Sequence, residues 1–304
     1  MLREEADAAL YDAKMQGRNL AIRYEASPDS MPLFPATKLQ AVRRLLAEGD
    51  MEAVFHPIWH IDCQTILAYE ALSRPNPSYG LTGPQQAFEI AERFGRVADL
   101  DRLCVDRILS RASDLPDSAL LFINMSPYSL AHHSFSARTL RNQVEAAGLS
   151  PDRVVFEITE RSQVAPEVVG DAARELHREG FRVALDDVGT GNTGFEMLRK
   201  VPCEFMKIDR DVMTSAVAGN TGRAAVMAIL AFAAEMGTFV VIDGIEDTQA
   251  LDFVQQISGA PFTNASGLIQ GVQGFLWGEP APNFRPDAVD PGRRLSPDEA
   301  ARAA

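Results

Sequence analysis

Apolar runs that end on a carboxylate, an amide or a lysine recur along this chain of 304 residues. Ionised side chains are almost never buried unless they are paired or bound to a metal. Polar groups that follow one buried strand after another therefore indicate a single polar site at one end of a sheet, which is the layout of a barrel enzyme. Seven stretches have this form: Tyr69-Glu70-Ala71-Leu72, Phe122-Ile123-Asn124, Phe156-Glu157, Leu185-Asp186-Asp187, Met206-Lys207-Ile208-Asp209, Val241-Ile242-Asp243 and Val272-Gln273.

Strand candidates alternate with helix candidates along the chain. From the third strand onward, each gap is long enough for a crossover helix between parallel strands. Eight such strands predict an α/β fold in which the sheet closes into a TIM-like (β/α)₈ barrel. The first two strands are close enough to form a hairpin, so we expect an irregular, antiparallel first strand. The strands are predicted at Val54–Ile61, Ile66–Glu70, Leu120–Met125, Val154–Thr159, Arg182–Asp187, Phe205–Asp209, Phe239–Asp243 and Gly274–Trp277.

The phase of these strands favours a barrel with a polar mouth. Side chains two positions apart share one face of a strand. An apolar residue therefore lies one layer below a polar one in the pairs Phe122/Asn124, Val155/Glu157, Ala184/Asp186 and Phe205/Lys207. The intervening helices are predicted at Gly83–Phe94, Ala98–Ser113, Ala137–Ala147, Pro166–Glu179, Gly194–Lys200, Ala224–Met236 and Thr248–Gln256.

The composition narrows the class of partner. A net charge of −13 argues against a nucleic-acid polymer, whose binding surface would be basic. It does not exclude a small anionic substrate, because bound divalent cations reverse the local field. Cys63, Cys104 and Cys203 are widely spaced and odd in number, so we expect reduced thiols in a cytoplasmic protein. We expect no membrane contact by this segment, since its most apolar helical stretch is too short to span a bilayer.

A series of motifs in this order resembles the EAL-domain cyclic di-GMP phosphodiesterases, over about residues 37–283. The motifs are Glu70-Ala71-Leu72 with Arg74, Asn124-Met125-Ser126, Phe156-Glu157-Ile158-Thr159-Glu160, Asp186-Asp187-Val188-Gly189-Thr190-Gly191, Lys207-Ile208-Asp209, Gly244-Ile245-Glu246 and Gln273-Gly274. Residues 1–24 resemble the C-terminal end of a GGDEF diguanylate cyclase domain whose nucleotide-binding core is absent. We expect a linker at 25–36 and a flexible tail at 284–304. The resemblance implies a bacterial protein with an upstream GGDEF or sensor domain, of which this segment would be the cytoplasmic part, in a larger or membrane-anchored chain.

The resemblance also implies metal-dependent hydrolysis of cyclic di-GMP to linear pGpG by a homodimer. Two Mg²⁺ or Mn²⁺ ions would neutralise the phosphate and activate water, whereas Ca²⁺ would inhibit. Lys207, Asp243 and Glu70 are the implied catalytic residues, and Glu160 anchors the loop Val188–Gly194. The implied metal ligands are Glu70, Asn124, Glu157, Asp186 and Asp187. The implied substrate-binding residues are Arg74, Leu72, Asp209, Gln273, His56 and Glu246.

Three departures from the family pattern leave alternatives open. Asp243 stands where the family has a longer Glu, His56 replaces the usual Gln, and Ser258–Gln270 is the expected site of an insertion. These changes favour, as an alternative, a catalytically weak or inactive module that binds cyclic di-GMP as a receptor. A barrel lyase or epimerase with a lysine base is a third hypothesis, which the adjacent Asp186-Asp187 pair disfavours.

Overall fold

The computed structural model describes residues 34–132, 136–159, 164–190, 194–258 and 267–284. The segment that resembles a cyclase-domain remnant, the tail after residue 284, Glu160 and most of the expected insertion lie outside the described residues. The described residues form two compact units. One contains residues 34–52 and 74–103, and the other contains residues 53–73 and 104–284.

The smaller unit is built from helices. It contains α1 (Ala36–Glu48), α2 (Pro84–Arg93) and the first half of α3 (Val97–Leu109). The sequence analysis placed no helix at α1, which buries Leu45 and ends at Gly49 in the left-handed conformation. The 3₁₀ turn Pro77–Tyr79 packs on this helix, since the Tyr79 hydroxyl donates to Glu48 Oε2 at 3.0 Å.

The larger unit contains a closed eight-stranded barrel, which confirms the predicted fold class. Consecutive strands from β2 to β8 are parallel neighbours, while β1 pairs antiparallel with β8 through Trp59 and Val272. The irregular first strand is therefore also confirmed. The strands are β1 Met51–His60, β2 Ile66–Pro75, β3 Leu120–Asn124, β4 Val154–Thr159, β5 Arg182–Val188, β6 Phe205–Ile208, β7 Phe239–Ile242 and β8 Ile269–Val272.

Helices connect the parallel strands and bury one apolar face each. In the helix before β5, Pro166 begins the first turn and Val169, Ala173 and Leu176 form the buried face. None of the described helices is both long and apolar enough to cross a bilayer. The helices after β3 are α4 Pro127–Leu130, α5 Ala137–Ala146, α6 Pro166–Arg178, α7 Gly194–Lys200, α8 Arg210–Ala218, α9 Asn220–Met236 and α10 Thr248–Ser258; 3₁₀ turns lie at Ala112–Asp114, Pro151–Arg153 and Phe275–Trp277.

The predicted position of the last strand is wrong. The strand runs over Ile269–Val272, and the predicted segment Gly274–Trp277 is a 3₁₀ turn introduced by Gly274 at φ 156°. Its aromatic residues resemble a strand by composition, but Trp277 is buried against the Trp59 ring, 6.3 Å away between centroids. Local β-propensity was overridden by this packing.

Candidate functional site

The predicted site residues form a polar layer directly above the apolar interior of the barrel. The interior layer consists of Ile58, Ala68, Phe122, Val155, Ala184, Phe205 and Val241. From Ala68 onward, each interior residue is followed two positions later by a polar residue. In the same order, these polar residues are Glu70, Asn124, Glu157, Asp186, Lys207 and Asp243. Because β1 runs in the opposite direction, His56 reaches the same layer by preceding Ile58.

Lys207 lies where three carboxylates converge. Its Nζ is 2.8 Å from Glu157 Oε1, 3.0 Å from Glu70 Oε2 and 3.8 Å from Asp186 Oδ1. Lys207 and Glu157 are each only 1% exposed. Burial of this kind is tolerated only when the charges compensate one another.

Glu70 is the best satisfied of the carboxylates. Its Oε1 accepts from Asn124 Nδ2 at 2.9 Å, and its Oε2 accepts from Lys207 and from Gln273 Nε2 at 2.8 Å. Gln273 Nε2 also lies 3.0 Å from His56 Nδ1. Since the amide nitrogen only donates, we assign the imidazole proton to Nε2, which is buried without a partner among the described residues.

Asp187 departs from regular strand geometry. Its φ of 60° is in the left-handed region that non-glycine residues rarely adopt, and the register of β5 with β6 shifts here. Two threonines hold the strained turn: Thr159 Oγ1 donates to Asp187 Oδ2 at 3.0 Å, and Thr190 Oγ1 donates to its carbonyl at 2.8 Å. Strained backbone of this kind persists where the surrounding contacts hold it, and it is common at functional sites.

Asp243 is held by its own loop. Its Oδ1 accepts from the Gly244 N–H at 2.7 Å, and the Ile245 N–H donates to the Gln273 carbonyl at 2.9 Å. Gly244 is required here, because it has φ 78° and a Cβ would lie 2.4 Å from Arg210 Cβ.

The other predicted substrate-binding residues lie outside the buried cluster. Asp209 caps α8 by accepting from the Asp211 N–H at 2.8 Å. Glu246 forms a two-point ion pair with Arg210 at 2.7 and 2.8 Å. Leu72 is half-buried on β2, whereas Arg74 is exposed and belongs to the smaller unit.

The cluster carries more negative charge than its lysine compensates. Burial disfavours the ionised form of Glu70, but the Lys207 ammonium and the hydrogen bonds from Asn124, Lys207 and Gln273 outweigh it and lower the pKa of Glu70 to about 2. Burial and the negative charge of Glu70 raise the pKa of Glu157 well above its usual value. In the absence of a further cation, Glu157 therefore holds a proton more tightly than an exposed glutamate does.

Burial and neighbouring charges also shift the pKa values of Asp186, Asp243, His56 and Lys207. Burial, together with Glu70 and Asp187, raises the pKa of Asp186 to about 6 despite Lys207. Burial and Glu70 also raise the pKa of Asp243. Burial lowers the pKa of His56, which favours the neutral imidazole. Burial alone would lower the pKa of Lys207, but Asp186, Glu157 and Glu70 raise it well above its usual value.

The donor set fits divalent cations. Glu157 Oε1 lies 2.8 Å from Lys207 Nζ, whereas Glu157 Oε2 is buried and accepts no hydrogen bond among the described residues. Carboxylate and amide oxygens are the ligands that Mg²⁺ and Mn²⁺ prefer, and added positive charge would relieve the raised pKa of Glu157 and Asp186. Within the described ranges, no three acidic, His or Cys side chains form a ready-made metal cluster, since Lys207 Nζ takes the position on which they converge.

Three residues near the site were missed by the sequence analysis. Thr159 holds Asp187, and Arg210 holds Glu246. Phe275 is 53% exposed, and its ring centroid lies 5.8 Å from that of His56. Thr159 lies within a motif of the sequence analysis and Phe275 directly follows one, but neither was assigned a role. The pairing of Arg210 across 36 positions has no signature in one sequence.

Comparisons with known proteins agree with this fold. The EAL domain model matches residues 39–261. MucR of Pseudomonas aeruginosa, a bifunctional diguanylate cyclase/cyclic di-GMP phosphodiesterase, is 26% identical over 286 residues, covering 91% of this chain and 40% of the relative. NbdA of the same species, a cyclic di-GMP phosphodiesterase, is 28% identical over 319 residues, covering 97% of this chain and 38% of the relative. This chain thus spans about two fifths of the length of these curated relatives.

Solved structures share the fold. The EAL enzyme Bd1971, in its cAMP- and cyclic-di-GMP-bound form, has a TM-score of 0.69 at 25% identity, covering 80% of this chain and 65% of its own. The FimX EAL domain of Pseudomonas aeruginosa bound to c-di-GMP also has a TM-score of 0.69, at 18% identity, covering 82% of this chain and 98% of its own; at that identity the likeness is one of fold alone. Because the family model matches well over half of the chain, this protein belongs to the EAL-domain family.

Proposed function

We propose that this chain hydrolyses cyclic di-GMP to linear pGpG in a reaction that depends on divalent metal ions. One observation carries the proposal: four carboxyl groups, of Glu70, Glu157, Asp186 and Asp243, act on the single buried ammonium of Lys207. A purely structural cluster would be balanced in charge or replaced by apolar residues. An excess of carboxylates at the mouth of a barrel is instead suited to cations and to an anionic substrate.

The metal ligands in this proposal are Glu70, Asn124, Glu157, Asp186 and Asp187. Bound as a pair, Mg²⁺ or Mn²⁺ would supply charge neutralisation at the phosphodiester and an activated water. The residues of the chain prepare this site: Asn124 and Gln273 orient Glu70 through hydrogen bonds, and Thr159 orients Asp187. Such second contacts fix the direction of each ligand oxygen.

Lys207 and the neighbouring mouth residues act on the substrate. The Lys207 ammonium, fixed between Glu70 and Glu157, holds the attacking water or a phosphate oxygen as a point charge. Phe275, whose ring lies beside that of His56, offers an exposed face on which a guanine base can stack. The proposed substrate contacts also include Asp209, Glu246, Leu72 and Arg74.

A second function is favoured by the position of Asp243. Its carboxylate accepts from the neighbouring Gly244 N–H and is one methylene shorter than the Glu expected from the family. A misplacement of about 1 Å can reduce a rate by roughly 10²-fold. The alternative is therefore a receptor that binds cyclic di-GMP and hydrolyses it slowly or not at all.

One experiment separates these functions. The purified chain is incubated with cyclic di-GMP and Mn²⁺ or Mg²⁺, and the nucleotides are resolved by chromatography. The proposal predicts pGpG from the wild type and from Glu145→Gln, a change on the exposed face of α5, but not from Glu70→Gln. Linear product no greater than that of Glu70→Gln rejects hydrolysis. Tight binding by calorimetry with intact nucleotide recovered afterwards then identifies a receptor.

Homodimer formation, inhibition by Ca²⁺ and a cytoplasmic location belong to the same proposal. Ca²⁺ takes more ligands at longer distances than Mg²⁺, so it would occupy the carboxylates without supporting the same geometry. Light scattering tests the dimer, and addition of Ca²⁺ to the hydrolysis assay tests the inhibition.

A further inference from the structure

A second cavity lies at the end of the barrel opposite the acidic cluster. It has a volume of about 450 Å³ and adjoins the residues that precede β6 and β7, whereas the acidic residues lie at or just after the ends of their strands. Its lining residues are Arg174, His177, Arg178, Arg199, Lys200, Val201, Pro202 and Met236. Four of these are cationic and none is a carboxylate, in a chain whose net charge is −13.

The acidic partners of these cations lie outside the lining. Arg174 pairs with Asp171 at 2.7 Å, and Lys200 pairs with Glu167 and Glu196. Asp171 and Glu167 are largely exposed, with 78% and 61% of their side-chain areas accessible. Exposed pairs of this kind are weak and are easily exchanged for a better anion.

Other cations of the cavity are less constrained. Arg199 is exposed and forms no ion pair among the described residues, and Arg178 lies 4.0 Å from its nearest carboxylate, Glu175. His177 is held by Glu204 Oε2 at 3.0 Å, and this oxygen also accepts from the Val183 N–H at 2.9 Å. The cavity therefore presents two available guanidinium groups beside an anchored imidazole.

The two helices that supply the cations are packed closely. A Cβ at Gly170 of α6 would lie 2.5 Å from the carbonyl oxygen of Lys200 at the end of α7, so only glycine permits this approach. This packing sets the separation of the two helix backbones that carry the arginines. The apolar part of the lining comes from Val201, Pro202 and Met236, and Met236 is 51% exposed.

We propose that this cavity binds a small phosphate ester with an apolar or aromatic portion, of the size of a mononucleotide. Guanidinium groups bind phosphate through two parallel hydrogen bonds, which suits Arg178 and Arg199. Met236 and Pro202 offer a surface for the apolar portion. The volume lies within the range of small-molecule sites. The inference uses no residue of the acidic cluster and stands independently of the hydrolytic function.

Calorimetric titration with GMP in EDTA tests the proposal. The wild-type chain should bind saturably and more tightly than it binds inorganic phosphate, and added salt should weaken the binding. Arg199→Ala and Arg178→Ala should each raise the Kd at least tenfold. Arg141→Ala, which removes an exposed arginine of α5, and Glu70→Gln, in the acidic cluster, should leave it within twofold. Melting curves verify that each variant is folded.

Three results would overturn the proposal. They are the absence of saturable GMP binding at millimolar concentration, equal affinity for GMP and inorganic phosphate, and binding that is lost in Glu70→Gln but retained in Arg199→Ala. The last result would assign the nucleotide to the mouth of the barrel.

Discussion

Charged side chains are buried at one end of the barrel and exposed to water at the other. At the mouth, Lys207 and Glu157 are 1% exposed, and the carboxylates outnumber the ammonium. At the opposite end, Lys200 and Arg174 form exposed pairs with acidic residues that water can reach. Lysine and acidic residues therefore lower the stability of the fold at the mouth and have little effect on it at the opposite end, because only the buried side chains lose their hydration.

This contrast indicates where function resides. Exposed ion pairs contribute little to stability and need no further explanation. A buried cluster with raised carboxyl pKa values destabilises the folded chain, and such a cost persists in a protein when the site needs it. The predictions below compare one variant at the mouth with a matched variant elsewhere, where the same change should have little effect.

Removal of the buried ammonium should have the largest effect. Lys207→Met leaves Glu70 and Glu157 without their cation, so we expect a loss of about 3 kcal/mol in the free energy of unfolding and no detectable hydrolysis. Lys200→Met, at the opposite end, should leave the unfolding midpoint within error. Urea denaturation of both variants in EDTA measures the difference, and equal losses would contradict the contrast.

Lengthening Asp243 should have the next largest effect. Asp243→Glu restores the reach of the family residue, so we expect turnover of cyclic di-GMP to rise by up to ~10²-fold. Asp117→Glu, the same change at a fully exposed position before β3, is the control. Initial rates of hydrolysis with Mn²⁺ provide the measurement. An unchanged or lower rate in Asp243→Glu would mean that the shorter side chain does not limit the rate.

The pH dependence of stability should show the raised pKa of Asp186. Between the usual value of 3.8 and about 6, the folded chain keeps a proton that the unfolded chain has released. Metal-free protein should therefore lose stability as pH rises through this window, by at most about 1.4 kcal/mol per pH unit from this group. Glu157 acts in the same direction, whereas the lowered pKa of Glu70 acts only below about pH 4.5.

Unfolding at pH 4.5 and 6.5 in EDTA checks this prediction. Asp186→Asn should flatten the dependence, and Asp171→Asn at the opposite end should leave it unchanged. The lowered pKa of His56 acts in the opposite direction below about pH 6.5, so the difference between the wild type and Asp186→Asn decides the test. Equal pH dependence in these two proteins would show that the pKa of Asp186 is not raised.

The smallest effect is expected for the exposed pair at the edge of the mouth. Arg210→Ala releases Glu246, so KM for cyclic di-GMP should change by roughly two- to threefold at an unchanged kcat. Arg141→Ala, which breaks an exposed pair on α5, should change neither constant. A large fall in kcat for Arg210→Ala would mean that this pair positions Asp243 through Gly244.

Much of the fold and the polar layer was predictable, because both follow from the period of a strand. Once Phe122 and Phe205 are assigned to the interior, Asn124 and Lys207 must lie one layer above them. The last strand was misplaced because Gly271 gives no apolar signal, while Phe275 and Trp277 mimic a strand. Such errors reflect packing that a local window does not contain.

The contacts within the site were less predictable than its location. Asp209 was assigned to substrate, yet its carboxylate caps α8, a helix that the sequence analysis did not predict. Two further features depend on the conformations of the loops after the strands. They are the ion pair between Glu246 and Arg210 and the left-handed backbone of Asp187. Loop geometry of this kind is not encoded in the spacing of apolar residues.

Binding of Mn²⁺ without substrate tests the central claim most directly, namely that the excess carboxylates at the mouth form a divalent metal site. In a calorimetric titration, the wild-type chain should bind two ions saturably. Glu157→Gln should lose at least one of them while its free energy of unfolding in EDTA rises, because a neutral amide replaces a carboxyl group whose ionisation burial and Glu70 oppose. Absence of saturable binding, or identical isotherms for the wild type and Glu157→Gln, would contradict the account.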